Sequence, residues 1–81
     1  MAKIGTLNVG TRVYTERTAG PNGRKRVLTQ VFVRMGNTVV ADRVIPGKWD
    51  DAAALGEFKR FPERFKPRGT FNAATLKAIA A

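Results

Sequence analysis

A chain of 81 residues has room for one compact unit and not for two. Fifteen Lys and Arg against six Asp and Glu give a formal charge of +9, nearly constant across physiological pH because there is no His, and 43% hydrophobic residues suffice for a small core. The absence of Cys and His excludes a disulfide framework, thiolate and imidazole metal sites, and Cys-His or Ser-His-Asp nucleophilic chemistry.

Residues 1–6 lack the apolar run of a signal peptide, and nothing further along approaches the ~20 apolar residues of a membrane span, so a cytoplasmic location is expected, with no membrane partner. Residues 6–18, 26–35 and 38–45 are rich in Val, Thr, Tyr and Phe. They are separated by Gly20-Pro21-Asn22-Gly23 and Gly36-Asn37, and the pattern predicts a three-stranded antiparallel meander. In the second strand Val27, Val31, Val33 and Met35 share one face, whereas Arg26, Gln30 and Arg34 share the other with Leu28 and Phe32. Setting Val13 opposite Val31 brings Val9 to Met35, and puts Arg12 and Tyr14 opposite Phe32 and Gln30. A two-residue turn at Gly36-Asn37 then sets Met35 opposite Thr38, Val33 opposite Val40 and Val31 opposite Asp42. Asp42 on an apolar face conflicts with the pattern; a bulge, an edge position or a one-residue shift would each resolve it.

The second half is helical. Asp50 has the chemistry of an N-cap for a helix over 50–61, with Asp51 in its first turn and Pro62 ending it. A basic, proline- and phenylalanine-containing arm occupies 62–69. A last helix over 72–80 starts from Asn72, with Phe71 and Leu76 at hydrophobic-staple spacing. The expected fold class is therefore α+β, a single small domain over 1–81 in which a three-stranded antiparallel meander is followed by two short C-terminal helices.

Three features carry the excess charge. Arg24, Lys25 and Arg26 lie beside the tight turn of the first hairpin and form either a positive finger of groove width or a solvated tip that discourages edge aggregation. Arg12, Tyr14, Arg26, Phe32, Arg34 and Arg43 gather on one sheet face if the register holds. Cations there would meet phosphates and rings would stack on unpaired bases, unless the C-terminal helices cover that face. Lys59, Arg60, Arg64, Lys66 and Arg68 surround Phe61 and Phe65, rings that more naturally anchor the arm to the core. Trp49 is either a core plug or a protein-interface anchor. Asp50 and Asp51 are sequence neighbours that do not face one site on a helix, so no metal is assigned, and no cofactor motif is present.

Three antiparallel strands followed by a helix, over roughly residues 9–61, resembles the arm-binding domains of phage-type integrases, which lay such a sheet into the DNA major groove. The likeness is one of element order and involves no motif. Size and architecture also look like small phage-encoded inhibitors of host machinery, including anti-CRISPR proteins and RNA-polymerase inhibitors. The expectation is a non-catalytic protein that binds nucleic acid, DNA or RNA, through a basic hairpin, sheet face and arm. The alternative is a phage-type inhibitor or accessory protein docking on a nucleic-acid-handling complex such as a CRISPR effector or RNA polymerase. A chain this small also leaves self-association into a homodimer open.

Overall fold

The computed structural model describes residues 2–69 and 71–80. Among them, β1 (Ala2–Ile4), β2 (Leu7–Arg17), β3 (Lys25–Met35), β4 (Thr38–Pro46) and β5 (Lys66–Pro67) form one antiparallel sheet in the order β1-β2-β3-β4-β5. Helix α1 (Asp51–Arg60), a single 3-10 turn (Pro62–Arg64) and helix α2 (Ala73–Ala80) complete the chain. The expected three-stranded meander with two helices is corrected on this point: the sheet has five strands and dominates the fold. Both added strands lie at its edges and owe their conformation to pairing. Strand β1 is three residues long and contains Lys3, and it exists because Gly5, at φ 58, turns the chain so that Ile4 meets Leu7. Strand β5 is two residues inside the segment expected to be an arm, held by Ala41↔Pro67 and Asp42↔Lys66.

Strands β2 and β3 pair over eleven residues without interruption. Their register is two residues from the expected one, since Thr11 faces Val31 and Val9 faces Val33. An even shift leaves every side chain on its face, because side chains alternate with period two. The register of β4 shifts between Val33 and Arg34, so that Val39 pairs with Arg34 and Ala41 with Val33. Val40 is the inserted residue of a bulge, and Val40 and Ala41 are consequently both buried. The bulge removes the conflict at Asp42, which moves to the face of Phe32, and it sends Arg43 to the face of Val31.

Leu7, Val9, Val31, Val33, Ala41 and Ile45 make the sheet side of the core, and Ala54, Phe58, Phe65 and Leu76 cover them. Phe58 and Phe65 meet edge to face, centroids 5.0 Å apart at 79°. Helix α1 starts at Asp50, whose carboxylate accepts from the Ala53 amide at 2.7 Å, and it carries Asp51 in the first turn with Lys59 and Arg60 in the last, as the helix dipole favours. Asn72 caps α2 in the same way, accepting from the Thr75 amide at 2.8 Å. Both helices thus lie against one side of the sheet, and among the described residues no helix lies over the opposite side of β2, β3 and β4.

Candidate nucleic-acid interface

The bare face is built from the even-numbered residues of β2 and β3. Arg12 pairs with Gln30, Tyr14 with Leu28, Glu16 with Arg26, and Asn8 with Arg34. Within a strand, alternate residues on one face are neighbours, and here they are cation and ring: the Arg12 guanidinium lies 5.9 Å from the Tyr14 ring centre and that of Arg34 5.5 Å from Phe32. Tyr14 and Phe32 are half-buried, so their outer surfaces reach solvent. Gly10 is the Cα partner of Phe32, and a residue without a side chain at that place contributes to an open hollow of about 490 Å³ lined by Gly10, Thr11, Arg12, Phe32, Arg34 and Asp51. Two guanidinium groups and one ring around the gap suit a phosphate with an unpaired base beside it, on the side away from the Asp51 carboxylate that Thr11 holds at the rim.

Beyond Tyr14 and Leu28 the hairpin leaves the sheet. β4 stops pairing with β3 at Leu28↔Pro46, and the residues of 15–27 are exposed except for half-buried Gly23. Three residue pairs, Thr15↔Val27, Glu16↔Arg26 and Arg17↔Lys25, carry this two-stranded ribbon roughly 10 Å before the loop. The molecule is elongated accordingly, 44 × 23 × 22 Å. Thr18 closes the loop: its amide donates to the Arg24 carbonyl at 2.8 Å, and its hydroxyl accepts from the Arg24 amide at 2.9 Å. The ribbon and loop bear Arg17, Arg24, Lys25 and Arg26 against Glu16, which pairs with Arg26 at 2.8 Å.

Not all of the cations singled out in the sequence meet here. Arg12, Arg26 and Arg34 share the bare face with Lys66, which pairs with Asp42, and Arg68 borders it through a 2.7 Å bond to the Asp42 carboxylate. Arg24 and Lys25 sit at the ribbon tip. Arg43 does not belong to this group. The bulge turns it to the helix side, where it donates to Glu57 at 3.0 Å and lies over the Phe65 ring, its side chain only 20% exposed. Lys59 and Arg60 end α1 on the helix side, and Arg64 stacks on Phe61 at 4.0 Å. The 59–68 segment is therefore packed chain with exposed cations: Phe65 is in the core, Phe61 is half-buried under Arg64, and Pro62 is buried.

Trp49 is half-buried against the core, its ring nitrogen donating to the Pro46 carbonyl at 3.0 Å. Its place is set by Thr29, a residue the sequence pattern does not single out. Fully buried, the Thr29 hydroxyl donates to the Gly47 carbonyl at 2.8 Å and accepts from the Trp49 amide at 3.0 Å, tying β3 to the turn before α1. A polar residue within an apolar row of a strand was the available signal. At the rim of the hollow the Thr11 hydroxyl donates to Asp51 at 2.6 Å, and this bond holds the Asp51 carboxyl below its ordinary 3.8.

Among the described residues no three acidic side chains gather as a metal site would require, and no helix is long and apolar enough to cross a membrane. A sheet with one face sealed by helices and the other bearing alternating cations and rings defines a class of surface; comparison with protein-family models, curated proteins and solved structures returns no match for this chain. Function is therefore argued from the surface itself.

Proposed function

We propose that this chain is a non-catalytic nucleic-acid-binding protein acting in the cytoplasm, which holds its ligand on the bare sheet face and the basic ribbon. The observation that carries the reading is the alternation Arg12-Tyr14 and Phe32-Arg34 on a face that both helices leave uncovered. Guanidinium groups neutralise phosphates, and half-exposed rings between them give unpaired bases a surface to stack on. Arg26 extends the same positive strip along the ribbon, with Arg24 and Lys25 at its tip, and a duplex groove also admits a ribbon of this width. With about six cations meeting phosphates of a duplex, log K falls against log salt with a slope near −5. Fluorescence anisotropy with single-stranded and duplex oligonucleotides over a salt series tests this, and a slope near zero defeats it. Reversing charge at Arg24, Lys25 and Arg26 weakens binding on every sequence alike if these residues contact the backbone.

One observation favours a second reading, docking on a protein that itself handles nucleic acid. Tyr14 and Pro46 flank Leu28 across the bare face, Leu28 itself only 4% exposed between them, and Val44 beside the row is 46% exposed. A small apolar centre with charged surroundings is how protein interfaces concentrate affinity. Retention of a specific protein from nuclease-treated lysate favours this reading, and loss of the partner on nuclease treatment favours the first.

A further inference from the structure

We propose that two copies of this chain join along the outer edge of β2, antiparallel and centred on Tyr14, so that their sheets become one. The two edges of the sheet are treated differently by the fold. On the far side, β4 is interrupted by its bulge at Val40, ends in Pro46, and is partly covered by β5 with Pro67. Proline, bulges and short covering strands are the devices by which sheets avoid edge pairing. The β2 edge has neither proline nor a bulge, and its covering strand is short. Strand β1 covers it over Leu7, Asn8 and Val9, Asp51 at the start of α1 is bonded to Thr11, and from Arg12 to Arg17 no described residue pairs with it. Over that stretch β2 is unbulged and free of Pro and Lys.

The hydrogen-bonding phase of the edge follows from the hairpin. The Thr18 amide donates inward to the Arg24 carbonyl, so the even-numbered residues of β2 point their amides and carbonyls at β3. Thr11, Val13, Thr15 and Arg17 therefore point theirs outward, Thr11 toward Asp51 and the other three with no described partner. A symmetric antiparallel pairing keeps odd residues opposite odd ones, which leaves three central residues to compare. Centring on Val13 sends Arg17 to the second copy's Val9, an edge already taken by Ala2, and leaves Glu16 opposite Gly10. Centring on Thr15 sets Arg12 opposite Thr18 and Glu16 opposite Tyr14. Centring on Tyr14 sets Arg12 opposite the second copy's Glu16, twice by symmetry, and Tyr14 opposite its own copy, both in the close, non-hydrogen-bonded positions. It also pairs Val13 with the second copy's Thr15, a β-branched pair whose backbones exchange two hydrogen bonds. The segment from Arg12 to Glu16 is thus complementary to itself in charge at this centre alone of the three, the Glu16 carboxylate that holds Arg26 within one copy facing Arg12 of the other, and this is the argument for a second copy as the occupant. Val13 and Val27, 42% and 43% exposed on the helix side of the ribbon, then lie in one strip with their symmetry mates. The bare face doubles in width, with Arg12 and Tyr14 of both copies at its middle.

Light scattering of the purified chain without nucleic acid, from micromolar to millimolar concentration, reads the association directly. The expected result is twice the monomer mass for the native chain. Arg12→Glu and Glu16→Arg each place like charges opposite one another at two symmetric positions and weaken association by roughly tenfold or more. The double variant Arg12→Glu/Glu16→Arg regains the dimer. Val13→Pro removes an outward amide that no described residue uses in the single copy, so it yields a monomer with an unchanged far-ultraviolet spectrum. A native chain that remains monomeric at millimolar concentration overturns the proposal, as do single variants that still dimerise or a double variant that does not recover. Because no oligonucleotide is present, the outcome is independent of nucleic-acid affinity.

Discussion

The two faces of this sheet come from the same strands and differ in what covers them. On one side Val9, Val31, Val33 and Ala41 are fully buried beneath Phe58, Phe65 and Leu76. On the other, Arg12 and Arg34 are exposed, and Phe32 and Tyr14 keep part of their rings in water. Alternation along a strand separates the two sets of side chains; the helices then decide which set becomes a core and which a surface. The fold therefore tolerates polar variation on the bare face, and charge there is available for a ligand.

That contrast can be broken first from the core side. Phe58→Ala leaves a cavity where Phe65 packs edge to face, and lowers unfolding free energy by about 3–5 kcal/mol in urea titrations. Phe32→Ala on the bare face removes a half-buried ring and costs markedly less stability. It weakens binding to single-stranded oligonucleotides by about 1–3 kcal/mol if one base stacks on that ring, and equal affinities for the variant and the native chain would remove Phe32 from the interface. Thr29→Val, nearly unchanged in shape, leaves the Trp49 amide and the Gly47 carbonyl without their partner and costs about 1–3 kcal/mol, with a shift in Trp49 fluorescence at the unfolding midpoint.

A finer comparison sets Arg34 against Arg43, two arginines of adjacent strands on opposite faces. Arg34→Gln reduces the salt slope of nucleic-acid binding by about 1 and leaves stability within about 0.5 kcal/mol. Arg43→Gln lowers stability by releasing Glu57 and leaves the slope unchanged; the reverse pattern would place the interface on the helix side. The smallest effect concerns acid. The Thr11 hydroxyl bonded to Asp51 depresses its folded-state pKa below 3.8, so Asp51 contributes stability that is present above that value and is lost as pH falls through the depressed one. The difference in melting temperature between the native chain and Asp51→Asn is therefore constant above about pH 4 and closes at lower pH.

Much of the fold is legible in the chain because it rests on local chemistry. The long strands follow from β-branched and aromatic runs between glycine turns. The helix starts at Asp50 and Asn72 follow from side chains able to accept from amides three residues on. What β2 and β3 contribute to the bare face is also legible, because the misplaced β2–β3 register was out by an even number, whereas the sides of Ala41, Asp42, Arg43 and Ile45 in β4 are not. Arg43 escaped because one inserted residue, Val40, reverses every face after it, and an insertion leaves no mark on composition. Strands β1 and β5 escaped because three and two residues have no periodicity to display. Thr29 escaped because its partners, Gly47 and Trp49, lie 18 and 20 residues away.

The amino-acid sequence on its own determined the charge excess, the missing His and Cys, the long strands, and which residues alternate along them. Each of these depends on residue identity or on neighbours within a few positions. Only the tertiary structure decided that both helices pack on the same side, that a bulge carries Arg43 away from Arg34, and that one sheet edge carries a bulge and Pro46 while the other is continuous beyond its short covering strand. Those outcomes depend on contacts between segments far apart in the chain, where packing volume and pairing, and not local preference, select among arrangements that the strands alone would allow.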